Sequence, residues 1–181
     1  MEYYEVFLNS ADAMSGVSTP HSCVFNLGNV NDFVPNAHIY QHSNHCFVKV
    51  KYFSVEETGT NFNTASTSTI LIEMSGALPN SVRSSNISTA NSKNMLQSNI
   101  IGIVPTSIAK STYSSNTYDN DFVKCNNILN GNITINLKDQ DQASLTLTAD
   151  KAWVMLLCIA FEKEPELKNI SNTGSTNYFS Y

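Results

Sequence analysis

The feature that most constrains this chain is a succession of short apolar or strictly alternating runs, cut apart by stretches rich in Asn, Ser and Thr. The clearest is Cys46 to Val55. There Cys46, Val48, Val50 and Tyr52 are expected on one side, and Phe47, Lys49, Lys51 and Phe53 on the other, the period-two pattern of a strand. His21 to Leu27 alternates in the same way, with Cys23, Phe25 and Leu27 together, and so does Ile133 to Leu137. Tyr3 to Leu8, Thr69 to Met74, Ile100 to Val104 and Asp121 to Cys125 read as further strands, and Leu145 with Leu147 as a short one. Lys151 to Glu162 is almost continuously apolar, as a strand in a sheet interior would be. A βαβ fold needs helical stretches between its strands, and the sequence offers no convincing one. Roughly eight or nine strands at irregular spacing leave a sandwich, a jelly roll or a Greek-key barrel.

The intervening segments explain why helices are not expected. Asn, Ser and Thr make up roughly a third of the chain, far above ordinary usage. Their short polar side chains hydrogen-bond nearby backbone in turns and compete with helix interiors. Gly28 to Asn36, Thr58 to Ser68 and Ser75 to Ser98 read as loops, and Thr106 to Asn120 as another with room for one short strand. Ser75 to Ser98 is too long for an ordinary connection and predicts a surface excursion with some irregular structure.

Only 14% of the 181 residues are charged, while 41% are hydrophobic, enough for one core. Residues 1–165 are therefore expected to form one domain, with 166–181 a polar C-terminal tail. A surface of neutral amides and hydroxyls is cheaper to desolvate against another protein than a charged one. The formal net charge of −5 and the lack of any Lys/Arg cluster argue against nucleic-acid binding. The first residues show neither the basic nor the apolar region of a secretory leader, and no run approaches a membrane span. The N-x-S/T matches at Asn86, Asn132 and Asn169 are accordingly discounted.

No catalytic motif is legible. Neither a G-x-S-x-G elbow nor a phosphate-binding glycine loop is present. His21, His38, His42 and His45 fall close together, but i,i+4 ligand pairs work on helices. On a strand His45 and Cys46 point apart, so loop histidines are the preferred reading over zinc. Asp139 and Asp141 lack the glycine and glutamate of a calcium loop, and Glu56-Glu57 sits at a strand end. Trp153, amid Val154, Leu156 and Leu157, is expected in a core or an interface. Cys23, Cys46, Cys125 and Cys158 each lie in a strand-like run and are expected as buried free thiols. No enzymatic activity, cofactor or metal is expected.

Two segments carry a family likeness. Tyr4-Glu5-Val6-Phe7-Leu8-Asn9-Ser10-Ala11-Asp12, followed by Ser15-Gly16 and a strand with Phe25, resembles the opening of jelly-roll minor capsid and penton proteins. Those proteins belong to large double-stranded DNA viruses, virophages and Polinton-like elements. Ile133 to Phe161, with its Asp139-Gln140-Asp141 turn, is similar to their closing hairpin. The chain departs from the pattern at Gln142, where the family often has glycine, and at Ala13, where a basic residue is common. The resemblance implies a single jelly-roll β-sandwich of about eight antiparallel strands. It also implies a capsid subunit that self-associates, first as a homopentamer, and packs against a major capsid protein. The tail aromatics Tyr178, Phe179 and Tyr181 are the expected docking residues. A carbohydrate- or receptor-binding sandwich is the alternative.

Overall fold

The longest apolar run becomes the spine of the molecule. In a computed structural model that describes residues 2–14, 20–27, 45–56, 69–77, 81–84, 95–106, 110–115, 121–126, 131–140, 143–145, 147 and 152–161, eleven strands are present. In chain order they are β1 (Glu2–Asn9), β2 (Ser22–Asn26), β3 (His45–Glu56), β4 (Thr69–Met74), β5 (Ser81–Ser84), β6 (Met95–Ser98), β7 (Ile100–Pro105), β8 (Lys110–Ser114), β9 (Val123–Asn126), β10 (Asn132–Lys138) and β11 (Trp153–Phe161). A 3-10 turn at Ser10–Asp12 follows β1, capped by Asn9, whose Oδ1 accepts the Ala11 N–H at 3.0 Å.

Every strand pairing among the described residues is antiparallel. One sheet, here sheet A, runs β1-β11-β3, and β3 is then edged by β8 and β9. Sheet B runs β2-β10-β4-β7. Apart from the β5–β6 hairpin, the chain alternates between the sheets or turns back within one, which is the jelly-roll connectivity. The expectation of a jelly-roll sandwich therefore holds, and the last strand does lie beside the first, from Glu2↔Phe161 to Asn9↔Val154.

The edge of sheet A is one strand in two pieces. β8 pairs with Tyr52 to Glu56 and β9 with His45 to Val48, both in the same direction. The Ser115 N–H to Lys51 carbonyl bond, 2.9 Å, extends the first piece by one residue.

The inner faces of both sheets form one core. Phe25, Leu27, Ile70, Ile72, Ile133, Ile135 and Leu137 come from sheet B or its flank; Val48, Val50, Phe53, Val55, Met155, Leu157, Ile159 and Phe161 come from sheet A. Gly102 on β7 sets the approach of the sheets. A Cβ there would meet Val50 Cγ2 at 3.1 Å, so the Val50 side chain would have to give by a few tenths of an ångström.

The structure departs from expectation in four places. The alternation of β3 does not run through: Tyr52 faces outward and Phe53 is fully buried. The cause is a bulge. Val50 pairs Leu157 and Tyr52 pairs Leu156, so Lys51 is an extra residue and every side chain beyond it changes face. Second, β10 and β11 are not a closing hairpin but lie in different sheets, β10 beside β2 and β4, β11 beside β1 and β3. Third, Leu145 and Leu147 form no strand. Ser144 makes only an isolated bridge to Lys138, and Leu145 N–H bonds the Leu137 carbonyl at 2.9 Å. Fourth, the strand expected from Asp121 begins at Val123, while the short strand with room in Thr106 to Asn120 is β8. The Ser75 to Ser98 excursion, expected to be irregular, carries a regular hairpin, β5–β6. The Gly28–Asn36 and Thr58–Ser68 stretches lie outside the described residues.

Candidate interaction surface

The outer face of sheet A is built by the same register that fills the core. Directly paired residues of an antiparallel sheet project to the same side. Because Tyr4, Val6 and Leu8 turn inward, Tyr3, Glu5 and Phe7 turn outward. Across the sheet this gives three rows: Tyr3–Ala160–Phe47, Glu5–Cys158–Lys49 and Phe7–Leu156–Tyr52.

The three rows differ in cover. Phe122, just before β9, folds back over the first two, with its ring centroid 5.9 Å from that of Tyr3 and with Lys49 Nζ 5.7 Å from it. Lys49 is consequently a buried cation resting on an aromatic face. Tyr3 nevertheless stays 58% exposed, so the first row is open as well, and among the described residues no ring is laid over the third. Phe7 is 62% exposed and Tyr52 38%, with Leu156 half-buried between them. The bulge at Lys51 matters here, since without the change of face Tyr52 would not join Phe7. Lys51 itself is ion-paired with Glu5, and that hydrogen bond raises its pKa. The face thus combines exposed aromatic area with internally neutralised charge, the composition of an interface centre rather than of ordinary solvated surface.

A second concavity lies where the edge strand breaks. A cleft of about 350 Å³ is lined by Lys49, Val50, Ile101, Gly102, Tyr113 and Asp121, among others. Its lining joins apolar side chains to the Lys49 ammonium, the Asp121 carboxylate and the Tyr113 phenol.

The residues singled out for chemistry do not converge. Among the described residues no group of three or more His, Cys, Asp and Glu is placed to hold a metal. His45 opposes Asn126 at the start of β3, while His38 and His42 lie outside the described residues. Asp139 closes a turn: its Oδ1 accepts the Ala143 N–H at 2.9 Å, and its own N–H bonds the Ala143 carbonyl at 2.9 Å. Asp141 and Glu57 lie outside the described residues, as do Tyr178, Phe179 and Tyr181.

Trp153 belongs to the core. Its ring contacts Phe25 edge-on at 5.8 Å and Phe53 at 6.0 Å, and its indole N–H donates to the Pro20 carbonyl at 2.6 Å. All four cysteines are buried free thiols, as expected. Cys46 and Cys125 face each other across β3 and β9. Burial pushes the Cys125 thiol up to about 12, with Cys46 adding to the effect, and pushes Cys23 up to about 11. Desolvated thiols of this kind are inert packing groups rather than nucleophiles. No described helix is long and apolar enough to cross a membrane.

The aromatic row of sheet A escapes a reading of β3 alone, because unbroken alternation there puts Tyr52 on the inner face. The signal for it lies in β1, where the rings of Tyr3 and Phe7 alternate with Tyr4, Val6 and Leu8, which already suffice for the core.

No family model matches the sequence, and no curated protein matches it. Among solved structures, the extra small virus of the giant freshwater prawn Macrobrachium rosenbergii, determined as a virus-like particle, aligns over 90% of this chain and 80% of its own, at 8% identity and a TM-score of 0.28. A likeness that remote carries no inference about this chain.

Proposed function

We propose that this chain is a non-enzymatic structural subunit of a viral capsid, a penton or minor capsid protein, which acts by packing against copies of itself and against a major capsid protein. The observation that carries the reading is the Phe7–Leu156–Tyr52 row, uncovered among the described residues, on a rigid antiparallel sheet. Burying such a row contributes ~25 cal/mol per Å² before the entropic costs of association. A homopentamer comes first, because identical subunits presenting one sticky face and one complementary side close into rings. A minor position between major capsomers comes second. The protein is then located in the virion and assembled inside the host cell.

Native mass measurement over a concentration series tests this. A ring that dissociates when Phe7 and Tyr52 are changed to Ser, with thermal stability retained, is the expected result. A strict monomer at the highest concentration, absent from purified particles, sinks the reading. A carbohydrate- or receptor-binding module is the second reading, favoured by the cleft beside Tyr113 and Asp121. Glycan-array binding by the isolated monomer, abolished by Asp121→Ala and Tyr113→Ala, would select it.

A further inference from the structure

Each of the two main sheets has two edges, and a bare edge is a template for another strand. Three of the four are blunted. The Met14 N–H bonds the Val24 carbonyl of β2 at 2.8 Å. β7 carries Gly102 and ends in Pro105, which has no N–H to offer. The broken edge of sheet A opens with Lys110 on β8, and β9 is met by the chain at Gly76 and Ala77, where the Asn126 N–H bonds the Gly76 carbonyl at 2.8 Å. β1 is different. It runs for eight residues with no proline, glycine, lysine or bulge, in register with β11 from Glu2↔Phe161 to Asn9↔Val154. Among the described residues no strand lies on its other side.

The residues along that edge are symmetric about Glu5. Tyr3 and Phe7, two positions to either side, are both aromatic, both turned outward and almost equally exposed, at 58% and 62%. Tyr4 and Val6, one position to either side, both pack against the core. Such a strand matches a second copy of itself run antiparallel with Glu5 opposite Glu5, the self-complementary surface that a twofold contact requires. Tyr3 of each copy then faces Phe7 of the other, and Tyr4 faces Val6, which are favoured cross-strand pairs. A slip of one residue sets outward side chains against inward ones, and a slip of two sets Glu5 against a ring. Two carboxylates facing each other would repel, but each Glu5 is already ion-paired with its own Lys51, and Lys49 stands farther out in the same row.

We propose that β1 is a dimerisation edge, on which the β1 of a second copy pairs antiparallel about Glu5 and continues sheet A across a twofold axis. The row Phe47–Ala160–Tyr3 of one copy then runs on into Phe7–Leu156–Tyr52 of the other, so the two open rows are halves of one aromatic band. The contact goes beyond the capsid reading and does not rest on it, since a twofold pair of sheets forms whether or not the chain builds a shell.

The test is disulfide trapping in the full chain with diamide as oxidant, read as dimer on a non-reducing gel. Cys23, Cys46 and Cys125 are buried, and Cys158, which pairs with position 5, is changed to Ala throughout. Glu5→Cys should crosslink to itself, because directly opposed residues lie about 4.5–5.5 Å apart between Cα atoms. Tyr3→Cys alone and Phe7→Cys alone should not, because like positions are then four residues out of register, about 13 Å along the strand. An equal mixture of the two should crosslink, and the mixed pair keeps its other Tyr3–Phe7 contact. Tyr3→Lys with Phe7→Lys, both at exposed positions, should raise the dimer dissociation constant by about tenfold or more with an unchanged circular dichroism spectrum. If Glu5→Cys does not fold, the mixture reads the same register without it. Crosslinking of Tyr3→Cys alone as readily as of the mixture would show unregistered collision and overturn the proposal. Absence of dimer at every concentration would show that the edge is closed by the chain itself or by another partner, and would overturn it too. The two readings fail separately. A ring without the position-5 crosslink keeps the capsid role and loses this edge; a crosslinked dimer absent from particles does the reverse.

Discussion

Replacing Trp153 by Phe tests the core most directly, because one side chain there has two separable jobs. The indole fills the end of the sandwich against Phe25 and Phe53, and its N–H satisfies the Pro20 carbonyl at 2.6 Å. Phe keeps a ring but removes roughly 40 Å³ of volume, which costs about 1 kcal/mol at ~24 cal/mol per Å³ of unrelaxed cavity. The Pro20 carbonyl loses its indole donor and keeps only the weak Cys23 thiol at 3.6 Å, a further ~1–3 kcal/mol. The sum, about 2–4 kcal/mol, is a large share of the ~5–15 kcal/mol that holds a domain together. It predicts a melting temperature lower by about 5–15 °C in a chain of this size. The chain has one tryptophan, so the variant loses its fluorescence probe, and unfolding in urea should be followed by far-UV circular dichroism. A loss under about 1 kcal/mol with an unchanged denaturant slope would refute the assignment of Trp153 as a hydrogen-bonded core plug.

Four further outcomes are expected. Deleting Lys51 removes the bulge residue and leaves Val50 inward, Tyr52 outward and Phe53 inward, so the variant should fold with its register intact, whereas deleting Lys49 reverses the faces of Cys46 to Val48 and should abolish folding; amide exchange of β3 distinguishes them. Phe7→Ser should change monomer stability by no more than about 0.5 kcal/mol because Phe7 is exposed, while Leu8→Ala, one residue on and buried, should cost about 2–5 kcal/mol in the same urea titration. Cys23 and Cys125 have folded pKa values above the ~8.5 of an unfolded thiol, so the unfolded chain ionises first and stability should fall as pH rises from about 8.5 toward 11–12; a urea midpoint unchanged between pH 8 and pH 10 would contradict this. At pH 8 a thiol reagent should leave Cys23, Cys46 and Cys125 unmodified until denaturant is added.

What the sequence makes legible depends on where each residue's information lies. Ile133, Ile135 and Leu137 alternate without interruption, and all three are buried, because a strand with one solvated face writes its register into the sequence. β11 is legible for the opposite reason: flanked by β1 and β3, it has little solvated surface to encode as polar residues. Lys51 is not legible. A bulge adds a residue without adding a turn signal, and Val50-Lys51-Tyr52-Phe53 reads equally well as unbroken alternation. The β5–β6 hairpin is hidden by composition, since Ser81–Ser84 and Met95–Ser98 are as polar as the loops around them. The partners of β10 and β11 are hidden by topology, because nearness in sequence favours a hairpin while a jelly roll sends successive strands to opposite sheets.

The same bulge links the fold to the proposed function. Removing Lys51 from the sequence leaves a perfect alternation in β3, so the core does not need it. What Lys51 adds lies on the outer face: a cation that neutralises Glu5 between the aromatic rows, and a backbone carbonyl that receives the Ser115 N–H at the end of β8. An interruption that costs the core regularity while organising the charge of an exposed aromatic face is better accounted for by that face than by folding. If so, the Lys51 deletion separates the two requirements. It should fold and yet associate differently from the intact chain, and a deletion variant that both folds and assembles unchanged would show that the bulge serves neither.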